Sequence, residues 1–588
     1  MVFPDIITLG NLAGKLPPWK PDDESHLYAV VDMGSNGIRF SITSLAPPGT
    51  RLLAPVYSTR ASISLFDALT PTENGDLVFT RATISAVSST LSHFTCIAEL
   101  HHVPRSNTMV FATEAMRRAS NAADMLEAIA NATGGLGVHV LEPSVETLFG
   151  AVMGSRSGLT NVDGGALFLD LGGGSVQMTW VDTSLEEYEI RAAMAGNSMP
   201  YGAAKLARIL EGRDAPLRAA DLGHLHASMQ RAFDNLCSVF PKLCDIRDAH
   251  NKGEDAGVDV YMCGGGFRGY GSMLMHNDAI KPYPISSIGT YTVDGASFKQ
   301  VDEMILLNKS HDGKVFGMSR RRRSQFDAIA TVIKAFISTV PNIRRVTFCR
   351  GSNREGALMM KLPREIRESN PLEALACVSN EERHIFNMVL HKLSQALPRE
   401  VDPRTTPTVL SDGLGYLFVR DTWSRGGFEA DTNVSFALHH AISRDSDAPG
   451  LTHLARAALG ITTAARWGFY VSPADEKLAE GLEGILARHS EDAVFWARYI
   501  GAVASVIARL FPAFPNDVGH FDGSIRLDAR IRPKEGKKDR VELTIFVARR
   551  TLDHVIPDDL IETLDATLKK GYKKPPKKTF AQIKVIES

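Results

Sequence analysis

A chain of 588 residues, 44% hydrophobic and 22% charged, has the apolar content for sizeable cores and a length that implies about three domains. Its net charge of −2 gives no overall electrostatic case for direct nucleic-acid binding. Six cysteines (Cys96, Cys237, Cys244, Cys263, Cys349, Cys377) lack metal-ligand spacing and are expected as free buried thiols of a reducing compartment; no run is read as the roughly 18 apolar residues of a membrane span.

In chain order, residues 1–24 read as a Pro-punctuated extension without the marks of a signal or transit peptide, so a cytoplasmic location and no membrane partner are expected. A first α/β domain is expected over 25–160. It opens with VVDMGSNGIRF (30–40) and carries a helix, AADMLEAIANATG, closed by a Gly-Gly cap signal. A second is expected over 161–363, with LFLDLGGGSVQMTW (167–180), a polar surface loop at 248–259 and an arginine run at 320–323 read first as a solvated charged face, with a nuclear-import patch or a phosphate-polymer contact as the alternatives. PREIRESNPLEA (363–374) is the candidate linker to a mainly helical region over 364–588. That region ends in two strand-like runs, SIRLDARIRP and RVELTIFVARR, around a KEGKKD turn. Near its end, KKGYKKPPKK (569–578) is a candidate mobile interaction segment.

The two Asp-Gly turns carry the chemistry. In each, a short apolar run ends in an Asp, a Gly-rich turn follows, and a second apolar run leaves it, which predicts a β-hairpin. Gly34, Ser35, Asn36 and Gly37 in the first, and Gly172, Gly173, Gly174 and Ser175 in the second, are expected to turn backbone N–H groups toward phosphate oxygens. Asp32 and Asp170 are then expected to hold Mg²⁺ through water, because that ion prefers oxygen ligands and keeps part of its hydration shell.

Two such turns resemble the actin, Hsp70 and sugar-kinase (ASKHA) superfold, in which two α/β domains each supply one phosphate loop to a central cleft. FATEAMRRASNA (111–122), LEPSVETLFGAVMG (141–154), MPYGAAKL (199–206), MCGGGFRGYG (262–271) and GSNREGALMM (351–360) follow in order and resemble the exopolyphosphatase/guanosine-pentaphosphatase (Ppx/GppA) family. The spelling DLGGGSVQMTW and the long C-terminal extension are most similar to that family's fungal members in mitochondria-to-nucleus retrograde signalling. The resemblance implies phosphoanhydride chemistry with a Glu that activates water, for which Glu146 is the candidate, and a second Glu two residues after the Ser of the second loop.

Three positions depart from the pattern. Gln177 replaces the second-loop Glu and can hydrogen-bond but not act as an anionic ligand or base. Gly37 replaces the Ser that usually closes the first loop. Around Glu146 the match needs a one-residue shift, since a gap-free alignment from Gly154 puts Thr147 on the position of the family's Glu. The resulting expectation is a signalling regulator that binds a nucleotide or polyphosphate with Mg²⁺, hydrolyses it weakly or not at all, and meets protein partners that regulate transcription factors. The alternatives are an active exopolyphosphatase or (p)ppGpp/NTP phosphohydrolase, and a scaffold with an empty cleft. Asp32 and Asp170 argue against the last, because buried carboxylates without metal or donors are costly. The His439-His440 pair is read as structural.

Overall fold

The computed structural model describes residues 5–586 except 159–161, 213, 403–405, 407, 412, 427–430, 445–447, 534–538 and 571–575. Two units separate by internal contacts: residues 1–277 with 287–369, and residues 278–286 with 370–588.

The first unit is built on two six-stranded sheets. Strands β1 (Asp5–Ile7), β2 (Leu27–Gly34), β3 (Gly37–Ser44), β4 (Ala54–Ala61), β7 (Thr108–Ala112) and β8 (His139–Leu141) form one, in the order β1-β8-β7-β2-β3-β4. A small hairpin of β5 (Leu69–Pro71) and β6 (Leu77–Phe79) stands apart. The other contains β9 (Ala166–Leu171), β10 (Val176–Val181), β11 (Asn197–Met199), β12 (Val258–Cys263), β13 (Thr292–Asp294) and β14 (Ile343–Phe348), ordered β11-β10-β9-β12-β14-β13.

Both sheets repeat one plan. A central strand forms an antiparallel hairpin with its successor on one side, Gly34 opposite Gly37 and Leu171 opposite Val176, and runs parallel to β7 or β12 on the other. The apolar runs YAVV and ALFL suit these central positions, which are covered on both faces. Asp32 and Asp170 therefore sit at the carboxyl ends of the central strands, the end of an α/β sheet where ligands bind.

Beneath both hairpins runs Pro143–Glu146, an α-helical turn that continues as a π-helix over Thr147–Gly154, all eight residues of which are buried. It packs closely on the helix Asn353–Lys361, where a Cβ on Gly356 would come within 1.9 Å of the Phe149 carbonyl oxygen.

Several elements differ from the sequence reading. The described part of the N-terminal extension, residues 5–24, is packed rather than free: β1 pairs in parallel with β8, and Leu12, Leu16 and Trp19 are buried, with the Trp19 indole donating to the Leu45 carbonyl at 3.1 Å. A three-residue strand is too short to show a period, so proline punctuation dominated the reading. The polar stretch 248–259 is not one loop, because the helix Pro241–Asn251 runs into it and β12 begins at Val258. The candidate linker forms two short helices, Arg364–Arg367 and Pro371–Ala376, and Glu368 pairs with the buried Arg156 at 2.6 Å. Cys96 and Cys377 are exposed, whereas Cys237, Cys263 and Cys349 are buried as expected.

The second unit packs helices Arg383–Gln395, Gly415–Thr422, Asp431–Ser443, His453–Arg466, Glu476–His489 and Ala493–Leu510 around one core, closed by a three-stranded sheet. In that sheet β15 (Ile525–Arg532) is antiparallel to β16 (Arg540–Ala548), which is parallel to β17 (Lys578–Ile586). The expected KEGKKD turn and the middle of the 569–578 run lie outside the described residues. His439 bonds Asp475 at 2.8 Å and His440 stacks on Phe436. Ala493–Leu510 is long and apolar enough to cross a membrane by length and composition, with a mean hydropathy of 1.4, contrary to the reading of the sequence. Its faces are 89% buried within the protein, and such a helix is apolar on all sides because it is a core helix.

Gly356→Ala tests the close helix crossing under the hairpins. The added methyl has nowhere to go, so the change should cost about 1–3 kcal/mol, as overpacking does, and lower the urea midpoint of the full chain. An unchanged midpoint would show that the two helices are free to part.

Candidate phosphate-binding cleft

The two hairpin turns face each other across a cleft of about 960 Å³, measured out to its solvent mouth. Every residue expected at the site lines it: Asp32, the first turn from Gly34 to Gly37, Glu146, Asp170, the second turn from Gly172 to Ser175, and Gln177. The turns approach closely enough that a Cβ on Gly173 would stand 2.8 Å from the Asn36 amide. Only a glycine lets the second turn come so near the first.

The MPYGAAKL segment holds the second turn in shape. Backbone N–H groups of Gly202, Ala203 and Ala204 donate to the carbonyls of Gly174, Gly172 and Gly173 at 2.9–3.0 Å. The Gly172 N–H, expected to face phosphate, is instead engaged within the turn, donating to the Ser175 carbonyl at 3.0 Å. The first turn is held from the other side, where Ser64 Oγ and the Phe66 N–H donate to the Ser35 carbonyl at 2.9 and 3.1 Å.

Gly37 has a structural reason. Its backbone is in a positive-φ conformation, and a Cβ there would lie 2.6 Å from Arg60 Nε. The Arg60 guanidinium fills that space and donates to the Asn36 carbonyl at 2.6 Å. A cation thus stands where the family pattern has a hydroxyl side chain.

Of the three acidic groups, Asp32 is buried and Asp170 and Glu146 are partly buried. Burial pushes the carboxyls of Asp32 and Asp170 above the usual range, opposed by Arg39 and Arg354 for Asp32 and by Arg268 and Arg39 for Asp170. Asp170 is wedged between Gly150 and Gly264, where Cβ atoms would lie 2.6 and 2.2 Å from its carboxylate oxygens. Glu146 is pushed up to about 7, chiefly by burial; Arg117, paired with it at 2.9 Å, pulls it down, and the nearby Asp170 and Glu114 push it further up.

Glu146 ends the α-helical turn and lines the cleft, and Gly154, at the end of the π-helix, lies against residue 352. Thr147 turns away: its Oγ1 donates to the Pro143 carbonyl at 3.0 Å, and its methyl packs beside Gly196.

Sequence reasoning missed the arginines. Arg39, Arg60, Arg268, Arg321 and Arg322 all line the cleft. Burial and crowding by Arg39 and Arg322 push Arg268 down to about 9; burial and the neighbours Arg39 and Arg60 push Arg322 down to about 10. Arg321 and Arg322 of the run at 320–323 therefore do not form the solvated face read first; their place in the cleft is that of the alternative, a phosphate contact. Arg321 reaches the opposite half, donating to Asn36 Oδ1 at 2.9 Å and Ser64 Oγ at 2.8 Å and pairing with Asp67. Arg39 and Arg268 lay inside motifs already singled out, but nothing in the sequence marks Arg60.

Gln177 is 2% exposed, and its amide nitrogen donates to Ser175 Oγ at 2.7 Å and Ser198 Oγ at 3.2 Å. The oxygen donors of the cleft suit magnesium, and Asp32 Oδ1 is buried without a hydrogen-bond partner, as a group awaiting a cation or its water would be. Among the described residues no three His, Cys, Asp or Glu side chains converge closely enough to grip a metal directly. The fit is to a hydrated ion, which Asp32 and Asp170 would hold through its water shell, supplying charge neutralisation beside phosphate.

The profile of the Ppx/GppA phosphatase family matches residues 45–365, more than half of the chain. The chain belongs to the Ppx/GppA family. Its two sheets are the paired halves of the actin- and Hsp70-like fold of that family. The RTG2 C-terminal domain profile matches residues 370–585. Retrograde regulation protein 2 of Saccharomyces cerevisiae is 30% identical over 500 residues, 83% of this chain and 81% of the yeast protein. Among solved structures, an exopolyphosphatase from Cytophaga hutchinsonii is 19% identical, with 57% of this chain and 97% of that one covered and a TM-score of 0.42. The Aquifex aeolicus PPX-GPPA enzyme is 19% identical over 56% of this chain and 98% of that one, with a TM-score of 0.40.

If both turns bind one ligand, Asp170→Ala and Gly173→Val should each abolish ligand-dependent stabilisation. A ligand at a hundred times its Kd raises stability by about 2.7 kcal/mol, a shift that a thermal melt resolves. Full retention of that shift in both variants would remove the turns from the binding site.

Proposed function

We propose that this Ppx/GppA chain is a regulator of retrograde-type signalling whose cleft binds a magnesium complex of a ligand with several phosphates, a nucleotide or polyphosphate, and hydrolyses it slowly or not at all. The observation that carries the proposal is the charge pattern of the cleft. Five arginines crowd together opposite two glycine turns, and burial, reinforced by their mutual repulsion, holds Arg60, Arg268 and Arg322 below the usual guanidinium range. One phosphate at the turns leaves several of those guanidinium groups over; a chain of phosphates satisfies them.

Weak turnover follows from position 177. Phosphoanhydride hydrolysis needs the terminal phosphoryl group positioned, its charge neutralised and a water oriented in line. The cleft has the means for the first two, but Gln177 is neutral and its amide is spent on two serines. The yeast relative's name supports the signalling role, and the RTG2-type C-terminal domain is the part that would meet protein partners. Ligand bound to both turns would hold the halves of the first unit together, the kind of two-state change a regulator needs.

A slow phosphohydrolase is the second reading, favoured by Glu146, a cleft carboxyl whose pKa lies close to neutral pH as a general base requires. The sign of its pH dependence is fixed: the carboxyl must be ionised to accept a proton, so any phosphate release should rise as pH increases through about 7 and be lost below it. Glu146→Gln should lower that release by ~10²-fold or more.

Malachite-green phosphate release beside thermal shift, with ATP, GTP, guanosine tetraphosphate and polyphosphate and with and without Mg²⁺, tests the proposal. A Mg²⁺-dependent shift with little release is expected, and Gln177→Glu should raise release on at least one substrate. Rapid turnover by the unaltered chain would replace the regulator with a hydrolase.

A further inference from the structure

The chain's net charge of −2 conceals one strongly basic surface. In the three-stranded sheet of the second unit, alternation puts Leu527, Val541, Leu543 and Ile545 into the core and leaves the opposite face open. Register sets that open face out in rows. Arg526, Phe546 and Lys584 form one end, Arg532, Arg540 and Lys578 form the other, and Arg530, Glu542 and Phe580 stand one row in from the latter. Six cations therefore face two acids, Asp528 and Glu542, and both acids are already paired, with Arg530 at 3.2 Å and with Arg532 at 2.6 Å.

The other four cations, Arg526, Arg540, Lys578 and Lys584, have no carboxylate partner among the described residues. Three of them lie over rings: Arg526 at 4.2 Å and Lys584 at 5.9 Å from the centroid of Phe546, and Arg540 at 4.4 Å from that of Phe580. A ring takes one face of a guanidinium and leaves its N–H edge for an anion, and no side-chain N–H of Arg526 or Arg540 has a hydrogen-bond partner among the described residues. Phe580 is itself 44% exposed. Lysines on an edge strand such as β17 keep other strands from pairing with it, but exposed aromatic rings have no part in that protection. From Arg526 to Arg532 the face runs about 20 Å along the strands and about 10 Å across them, the footprint of one extended polymer chain.

We propose that this face binds single-stranded nucleic acid, with phosphates on the unpaired cations and bases stacked on Phe546, Phe580 and the guanidinium planes beside them. Flat rings next to unpaired cations match a strand that carries bases and phosphates in alternation. An acidic protein segment would use the cations and leave the rings idle. The surface belongs to the second unit alone, so the proposal goes beyond the reading of the cleft and does not rest on it.

The test reads fluorescence polarisation of a labelled single-stranded RNA of mixed sequence, about a dozen nucleotides long, with the full-length chain over a series of salt concentrations. Four neutralised phosphates give a slope of about −3 in log affinity against log salt, and Arg526→Gln combined with Arg540→Gln should halve it. Phe546→Leu and Phe580→Leu keep an apolar side chain of similar size without a π face, and each should weaken binding by about 5-fold or more. A duplex of the same sequence, whose bases are already stacked on one another, should bind more weakly. No binding, or unchanged affinity in the arginine double variant, would overturn the proposal. A duplex bound as tightly as the single strand, or indifference to both leucine variants, would leave charge attraction alone and overturn it too. Displacement of the RNA by polyglutamate at equal charge would hand the face to an acidic protein partner instead.

Discussion

The first unit is organised around one unfavourable act, the burial of carboxylates at the ends of two central strands. Removing Asp32, Asp170 and Glu146 from water raises the pKa of each, and arginines opposing them keep ionisation within reach. Arg39 acts on both aspartates, and Arg117 on Glu146. The arginines in turn outnumber what the carboxylates neutralise and repel one another. A cleft so charged is balanced by adding both a cation and a polyanion.

The same constraint explains the close packing beneath the hairpins. Asp170 has room only because residues 150 and 264 are glycines, and Gly150 belongs to the π-helix that also presents Glu146. One buried helical segment therefore sets the position of an acid on each side of the cleft. Arg321, reaching from the second half to Asn36 and Ser64 of the first, ties the first turn to the opposite half. The site and the joint between the halves are built from the same residues.

Much of the cleft was readable from sequence because its signal is local. An apolar run, an Asp and a Gly-rich turn are consecutive residues, and both hairpins, with Asp32, Asp170, Gln177 and the turn glycines, fell where they were expected. What escaped depends on distance along the chain. Arg60 enters the site because Gly37 leaves a space, a relation between residues on neighbouring strands. Arg321 looks like part of a solvated run until a partner 285 positions away is brought to it by folding. The π-helix carries the same apolar residues an α-helix would, so its hydrogen-bond pattern leaves no mark in the sequence.

The central claim is that one ligand engages both turns at once. Hydrogen–deuterium exchange of the full chain, with and without Mg²⁺ and inorganic triphosphate, measures it at peptide resolution. The account expects slower exchange at residues 34–37 and at 172–175 together, at the same triphosphate concentration. Protection of one turn without the other, or of neither, would contradict it.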